Sequence, residues 1–289
     1  LSINPNNASA HNNIGAAFQD MGQLREAIKS YKKSLTLNPD YTEAYNNMGS
    51  AFQIQGNLDK AISAYKKALL LEPDNAIAVE NFLMLQNQLL DTGLLNKSTP
   101  QDFNLNADEG PKIQTLKMIR AFINLDQKLT QKYISSVNTY TVKKIKDLNP
   151  EDQIFCSAYN AFLSKLLEEP LPKLNSNDVD NVIFHLGESH CLSYAHHVIC
   201  MANNKYRVVP KIIFGAKAYH FSTKTINSYK AIALENLEAF PKSSLVFLSF
   251  GEIDCRPNEG IISAASKLNR PIENIISDTV EGYVSWFAE

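Results

Sequence analysis

The spacing of apolar residues divides the chain into three stretches, each with its own period. Over residues 1–95 apolar positions recur at helical spacing, and helices are predicted at about Ala8 to Met21 and Leu24 to Leu37, then again 34 residues on. Asn38-Pro39 and Glu72-Pro73 close these units, because proline cannot continue a helical ladder and bars the preceding residue from the helical region. Over residues 96–179 the signal is weaker. Ser98-Thr99-Pro100 and Gly110-Pro111 punctuate it, while Ile113, Leu116, Ile119, Ala121, Ile123 and Leu125 keep helical spacing, as do Phe155, Tyr159, Phe162, Leu163 and Leu166. Two or three linking helices are expected there. From Asp180 the period gives way to continuous apolar runs at Asn181 to Leu186, Arg207 to Phe214 and Ser244 to Phe250, as in parallel strands buried on both faces. Helices are predicted between and after them, at about Leu192 to Ala202, Asn227 to Phe240 and Ile272 to Ala288. The expected class is therefore α + α/β: a helical array over residues 1–95, a helical linker over 96–179, and a three-layer βαβαβα domain over 180–289 with right-handed crossovers and its first strand central.

The first stretch repeats itself. A shift of 34 places lays His11-Asn12-Asn13-Ile14-Gly15 over Tyr45-Asn46-Asn47-Met48-Gly49, Phe18 over Phe52, Gly22 over Gly56, Ala27 over Ala61 and Tyr31-Lys32-Lys33 over Tyr65-Lys66-Lys67. Small residues at Gly15/Gly49 and Ala27/Ala61 let paired helices approach, and Phe18/Phe52 with Tyr31/Tyr65 fill the space between them. This period and pattern resemble the tetratricopeptide repeat. Leu1-Ser2-Ile3 and Asn4-Pro5 overlay the end of a preceding unit, so a longer protein is expected, and Ala76 to about Leu95 reads as a degenerate third unit. The resemblance implies a concave face, lined by first helices, that binds a protein or peptide. Candidate peptide-binding residues are Asn12, Asn13 and Gln19 with Asn46, Asn47 and Gln53, since a carboxamide offers both a donor and an acceptor to a peptide main chain. The arrangement resembles the asparagine ladder of O-GlcNAc transferases.

In open parallel sheets ligands gather outside the carboxyl ends of strands. Gly187-Glu188-Ser189-His190 follows the first predicted strand, Gly215 the second, and Gly251-Glu252-Ile253-Asp254-Cys255-Arg256 the third. A serine on a strand-to-helix turn exposes its hydroxyl, the following helix aims amides at an oxyanion, and a glycine lets a backbone N–H approach a ligand. Over residues 180–289 this constellation resembles the SGNH, or GDSL-type, hydrolase superfamily, whose doubly wound fold is flavodoxin-like: Gly187-Glu188-Ser189 matches its first block, Gly215 its second, and Gly251-Glu252-Ile253-Asp254 its third. The resemblance implies acyl ester hydrolysis or transfer, often on carbohydrates. Ser189 would be the nucleophile, amides near Ser189 and Gly215 the oxyanion hole, and Asp254 a further catalytic residue. Glu188, His190, Glu252 and Arg256 are candidate substrate contacts. Ile253 stands where the family has an asparagine donor, and no histidine follows His220, so the family's Asp-x-x-His block is expected beyond residue 289. The alternative is a non-catalytic scaffold whose α/β part binds a glycan or peptide.

Charge changes little: 28 Lys+Arg against 30 Asp+Glu leave no basic field for nucleic acid. Lys143, Lys144 and Lys146 read as a solvated face. No apolar run is long enough to cross a bilayer. Cys156, Cys191, Cys200 and Cys255 form no CxxC pair, which fits reduced thiols and a cytoplasmic setting. His196 and Cys200 would share one helical face, a spacing open to zinc, with a small core cysteine and pocket-flanking histidines as the other reading. Neither a metal nor a cofactor is expected.

Overall fold

The computed structural model describes residues 7–89, 110–139, 147–168, 181–193, 195–201, 203–250 and 269–288. The chain divides into two compact units, Leu1–Glu169 and Pro170–Glu289.

The first unit is helical. Its described helices are α1 (Ala8–Asp20), α2 (Leu24–Leu37), α3 (Thr42–Ile54), α4 (Leu58–Leu71), α5 (Ala76–Gln88), α6 (Pro111–Ile123), α7 (Gln127–Thr139) and α8 (Pro150–Leu166). Helices α1 and α2 pair, as do α3 and α4, and α5 packs on α4. The glycine and tyrosine of each repeat explain the close pairing. A Cβ on Gly15 would come within 2.5 Å of Cε1 of Tyr31, and one on Gly49 within 2.7 Å of Cδ1 of Tyr65, so each ring fills the notch that its glycine leaves. Both tyrosines are buried, and each hydroxyl donates to a glutamine of the facing helix at 3.0 Å, Tyr31 to Gln19 and Tyr65 to Gln53.

Each pair turns through one residue in the left-handed region, Gly22 at φ +71° and Gly56 at φ +82°. Main-chain bonds close both turns alike, from Gln23 N–H to the Phe18 carbonyl and from Asn57 N–H to the Phe52 carbonyl, each 2.8 Å. The same turn joins α6 to α7, with Leu125 at φ +61° and Asp126 N–H bonded to the Ala121 carbonyl at 2.9 Å. A third hairpin of the repeat's shape thus stands where the sequence shows no repeat. Leu125, assigned to a helix by its spacing, lies instead in the left-handed turn. Lys112 of α6 ties this hairpin to its neighbours through Glu80 of α5 (3.2 Å) and Asp152 of α8 (2.8 Å).

The second unit is a mixed sheet with helices. Strands β1 (Asn181–Gly187), β2 (Val198–Met201), β3 (Asn204–Ile212) and β4 (Leu245–Ser249) lie in the order β2-β3-β1-β4. β1 runs parallel to β3 and to β4, so the serine strand is central among the three parallel strands, as the sequence predicts. The stretch Leu192 to Ala202 is not the predicted helix. A one-turn 3-10 helix, Ser189–Leu192, is followed by β2, which pairs antiparallel with β3 from Val198↔Arg207 to Met201↔Asn204. The run Val198-Ile199-Cys200-Met201 is too short to reveal its period, and Asn203, at φ +67°, suits a tight hairpin turn. The connection from β1 to β3 is therefore a 3-10 turn and a hairpin strand rather than a crossover helix.

Helices α9 (Ala218–Ser222), α10 (Ser228–Ala239) and α11 (Ile272–Ala288) complete the unit. Phe240, just past α10, stacks on Phe184 of β1 with centroids 4.0 Å apart. Phe221 is fully buried against Phe250, Tyr283, Trp286 and Phe287. Gly282 allows α11 that approach, since a Cβ there would lie 2.7 Å from the Ser222 Cα.

Candidate functional site

On the helical unit, the candidate asparagines are drawn into the junctions between repeats. Asn12 is 1% exposed, and Asn46 is also buried. Asn47 donates its amide to the Asn12 side-chain oxygen at 3.1 Å, and one repeat later Asn81 donates to Asn46 at 3.0 Å. Asn12 in turn donates to Glu43 at 3.0 Å, and Gln19 donates to Ser50 at 3.1 Å while accepting from Tyr31. Asn81 was not among the candidates, although it stands 34 residues after Asn47 and the repeat offset would have found it. Asn13 is exposed, and Asn47 and Gln53 are half-buried. Asp20 and Glu43 are exposed beside this ladder, and their charges add to burial in pushing the Tyr31 hydroxyl up to about 12.

In the sheet unit, the ends of β1, β3 and β4 lie side by side. The strand register sets Gly187 level with Ile212 and Ser249. Gly187 passes its carbonyl to Ile213 N–H at 2.7 Å, and Glu188 N–H reaches the Ser249 carbonyl at 3.3 Å. Ser189 opens the 3-10 turn immediately after, so its main chain follows the central strand; the side chains of Ser189 and His190 lie outside the described residues. A four-residue 3-10 turn does not supply the helix N-terminus expected behind the serine.

Gly215 follows β3 at φ +69°, exposed, with the Tyr229 hydroxyl 3.8 Å from where a Cβ would stand. Tyr229 stacks on His220, centroids 4.0 Å apart, and His220 Nδ1 accepts from Lys217 N–H at 3.0 Å. Burial, with the Lys217 charge second, holds the His220 imidazole down to about 4, so it is neutral at ordinary pH. Gly251, Glu252, Ile253, Asp254, Cys255 and Arg256 lie outside the described residues.

One contact at these strand ends had no counterpart among the candidates. His185 of β1, 5% exposed, lies with Nε2 2.8 Å from Oγ of Ser249 on β4. A Cβ on Gly187 would collide with that oxygen, so the bare glycine is what lets Ser249 lie there. A signal did exist. His185-Leu186-Gly187-Glu188 and Ser249-Phe250-Gly251-Glu252 each put one polar residue two places before a Gly-Glu.

Cys191 is buried, and burial with the nearby Glu188 charge pushes its thiol up, away from reactivity. His196 and Cys200 do not share a helical face, because Cys200 belongs to β2 and His196 precedes that strand at φ +66°. Among the described residues no His/Cys/Asp/Glu group is placed to hold a metal ion, and no helix is long and apolar enough to cross a membrane.

Residues 6–71 match the family model described as Tetratricopeptide repeat. No curated protein matches the chain. The repeat family fits protein–protein interaction as the role of the helical unit.

Proposed function

We propose that the chain couples a recruiting array to an SGNH-like acyl ester hydrolase or acyltransferase directed at carbohydrate esters. The helical unit docks a protein or peptide against the face carrying its first helices. Because Asn12 and Asn46 are spent on the ladder and Glu43 accepts from Asn12 and Tyr41, the groups left for a partner are Asn13, the remaining capacity of Asn47 and the Asp20 carboxylate.

In the second unit Ser189 acts as nucleophile, with main-chain amides near Ser189 and at Gly215 receiving the oxyanion. Glu188, His190, Glu252 and Arg256 are assigned to substrate and Asp254 to catalysis on the family pattern alone. The observation that carries the reading is topological. Gly187-Glu188-Ser189 leaves the carboxyl end of the central strand between two parallel neighbours, which is where an open α/β sheet binds its ligand, and the neighbouring β3 ends near a glycine in the left-handed region. The experiment is turnover of 4-nitrophenyl acetate by the whole chain and by its Ser189→Ala form. Loss of turnover by about 10³-fold or more, with unchanged circular dichroism, is expected of a nucleophile. Equal turnover removes Ser189 from the mechanism, and absence of turnover by the unaltered chain leaves the glycan- or peptide-binding scaffold as the better description.

A further inference from the structure

We propose that His185 and Ser249 form a second hydroxyl–imidazole pair, in which the Ser249 oxygen is itself a nucleophile toward acyl esters. The inference stands on the contact between these two side chains and not on the role given to Ser189.

Three observations carry it. The first is distance: Nε2 and Oγ are 2.8 Å apart, within the range of a nucleophile and its general base. The second is mounting. Both residues sit on adjacent parallel strands whose register is fixed on either side, His185 beside Phe247 and Gly187 beside Ser249, and the Phe247 ring meets the imidazole edge-on at 6.1 Å. Groups held on strands keep their geometry better than groups on loops. The third is access. Side chains alternate along a strand, so Leu245, Phe247 and Ser249 share one face of β4, where Leu245 and Phe247 are each 41% exposed and Ser249 is half-buried. An apolar shelf leading to a hydroxyl suits the hydrocarbon part of an acyl group.

Besides the ester, the sequence of steps consumes only water. Ser249 Oγ attacks the ester carbonyl carbon as its proton passes to His185 Nε2. The carbon–oxygen bond to the alcohol then breaks, and that alcohol leaves with the proton from the imidazole. Water repeats the sequence on the acyl-serine, releasing the acid. A fluorophosphonate stops after the first half, because Oγ displaces fluoride from phosphorus and the phosphonyl-serine persists.

The test is to treat the whole chain with a fluorophosphonate and locate the adduct by fragmentation mass spectrometry, in the unaltered protein and in the Ser189→Ala and His185→Gln forms. The expected result is an adduct on Ser249 in the first two, forming about 100-fold more slowly in the third, as loss of a general base requires. An adduct on Ser189 alone, or none on the peptide bearing Ser249, overturns the pair. So does labelling of Ser249 at an unchanged rate in His185→Gln. Because the unaltered chain is mapped first, a variant that fails to fold cannot leave the question open. Ester turnover through Ser189 without a Ser249 adduct would sink only this inference, while a Ser249 adduct with turnover indifferent to Ser189→Ala would sink only the Ser189 assignment.

Discussion

Glycine and tyrosine at fixed offsets decide how closely the helices of a repeat approach. Gly49 has no room for a methyl group, with the Tyr65 ring 2.7 Å from its would-be Cβ, and the ring cannot withdraw because its hydroxyl is bonded to Gln53. Gly49→Ala is expected to destabilise the helical unit by about 1–2 kcal/mol, since overpacking of about 1–3 kcal/mol outweighs the roughly 0.5–1 kcal/mol that alanine gains over glycine inside a helix. Thermal unfolding followed by circular dichroism checks it; an unchanged or higher midpoint would mean that the ring yields. These packing residues were legible because the sequence states them twice. The asparagines were legible as a pattern, but their destination was not. A carboxamide serves a neighbouring repeat as well as a peptide, and only the burial of Asn12 and Asn46 shows that the neighbour takes it.

Among the elements, the α6–α7 hairpin shows how a shape outlasts its signature. Its turn demands a left-handed residue and supplies Leu125, which is 37% exposed. A non-glycine residue there costs about 1–2 kcal/mol, so Leu125→Gly is expected to stabilise the helical unit by roughly 1 kcal/mol. Urea unfolding midpoints measure the change, and a fall would show that Leu125 is held by contacts worth more than its backbone strain. The helix pattern of α6 was readable while its kinship to the repeats was not, because the glycine and tyrosine that announce the other hairpins are missing. β2 was misread for a different reason. Four apolar residues followed by asparagines satisfy a short buried helix and a hairpin strand equally well, and only pairing with β3 separates them.

For the molecule as a whole, acid should act unevenly. Folding holds His220 at about 4 against 6.5 in an open chain, so the unfolded state binds the extra proton between those values. A depressed histidine contributes its full stability above pH 6.5 and loses it as pH falls toward 4, because protonation would bury a cation and place it beside Lys217. Trp286 is the only tryptophan in the sequence and lies in the second unit, so its fluorescence reports that unit alone. The midpoint of its thermal transition is expected to drop between pH 6.5 and pH 4, and to drop less in His220→Gln. Parallel pH curves for the two proteins would assign the sensitivity elsewhere. The period of the sequence changes near Asp180, while the two compact units part between Glu169 and Pro170. The sequence leads to these strand ends only along a family motif, which is why it singles out Ser189 and not the His185–Ser249 contact, made by residues 64 apart.

The asparagine ladder has one more property, which concerns grammar rather than grip. The first two repeats carry an acceptor, Asn12 and Asn46, and the second and third carry a donor, Asn47 and Asn81, so the middle repeat holds both halves of the joint. At both joints the donor of the following unit finds the acceptor of the one before. Copies can therefore be spliced in or cut out in steps of 34 residues without leaving a mismatched amide at the seam, so the array's reach can vary while the chemistry of its joints stays the same.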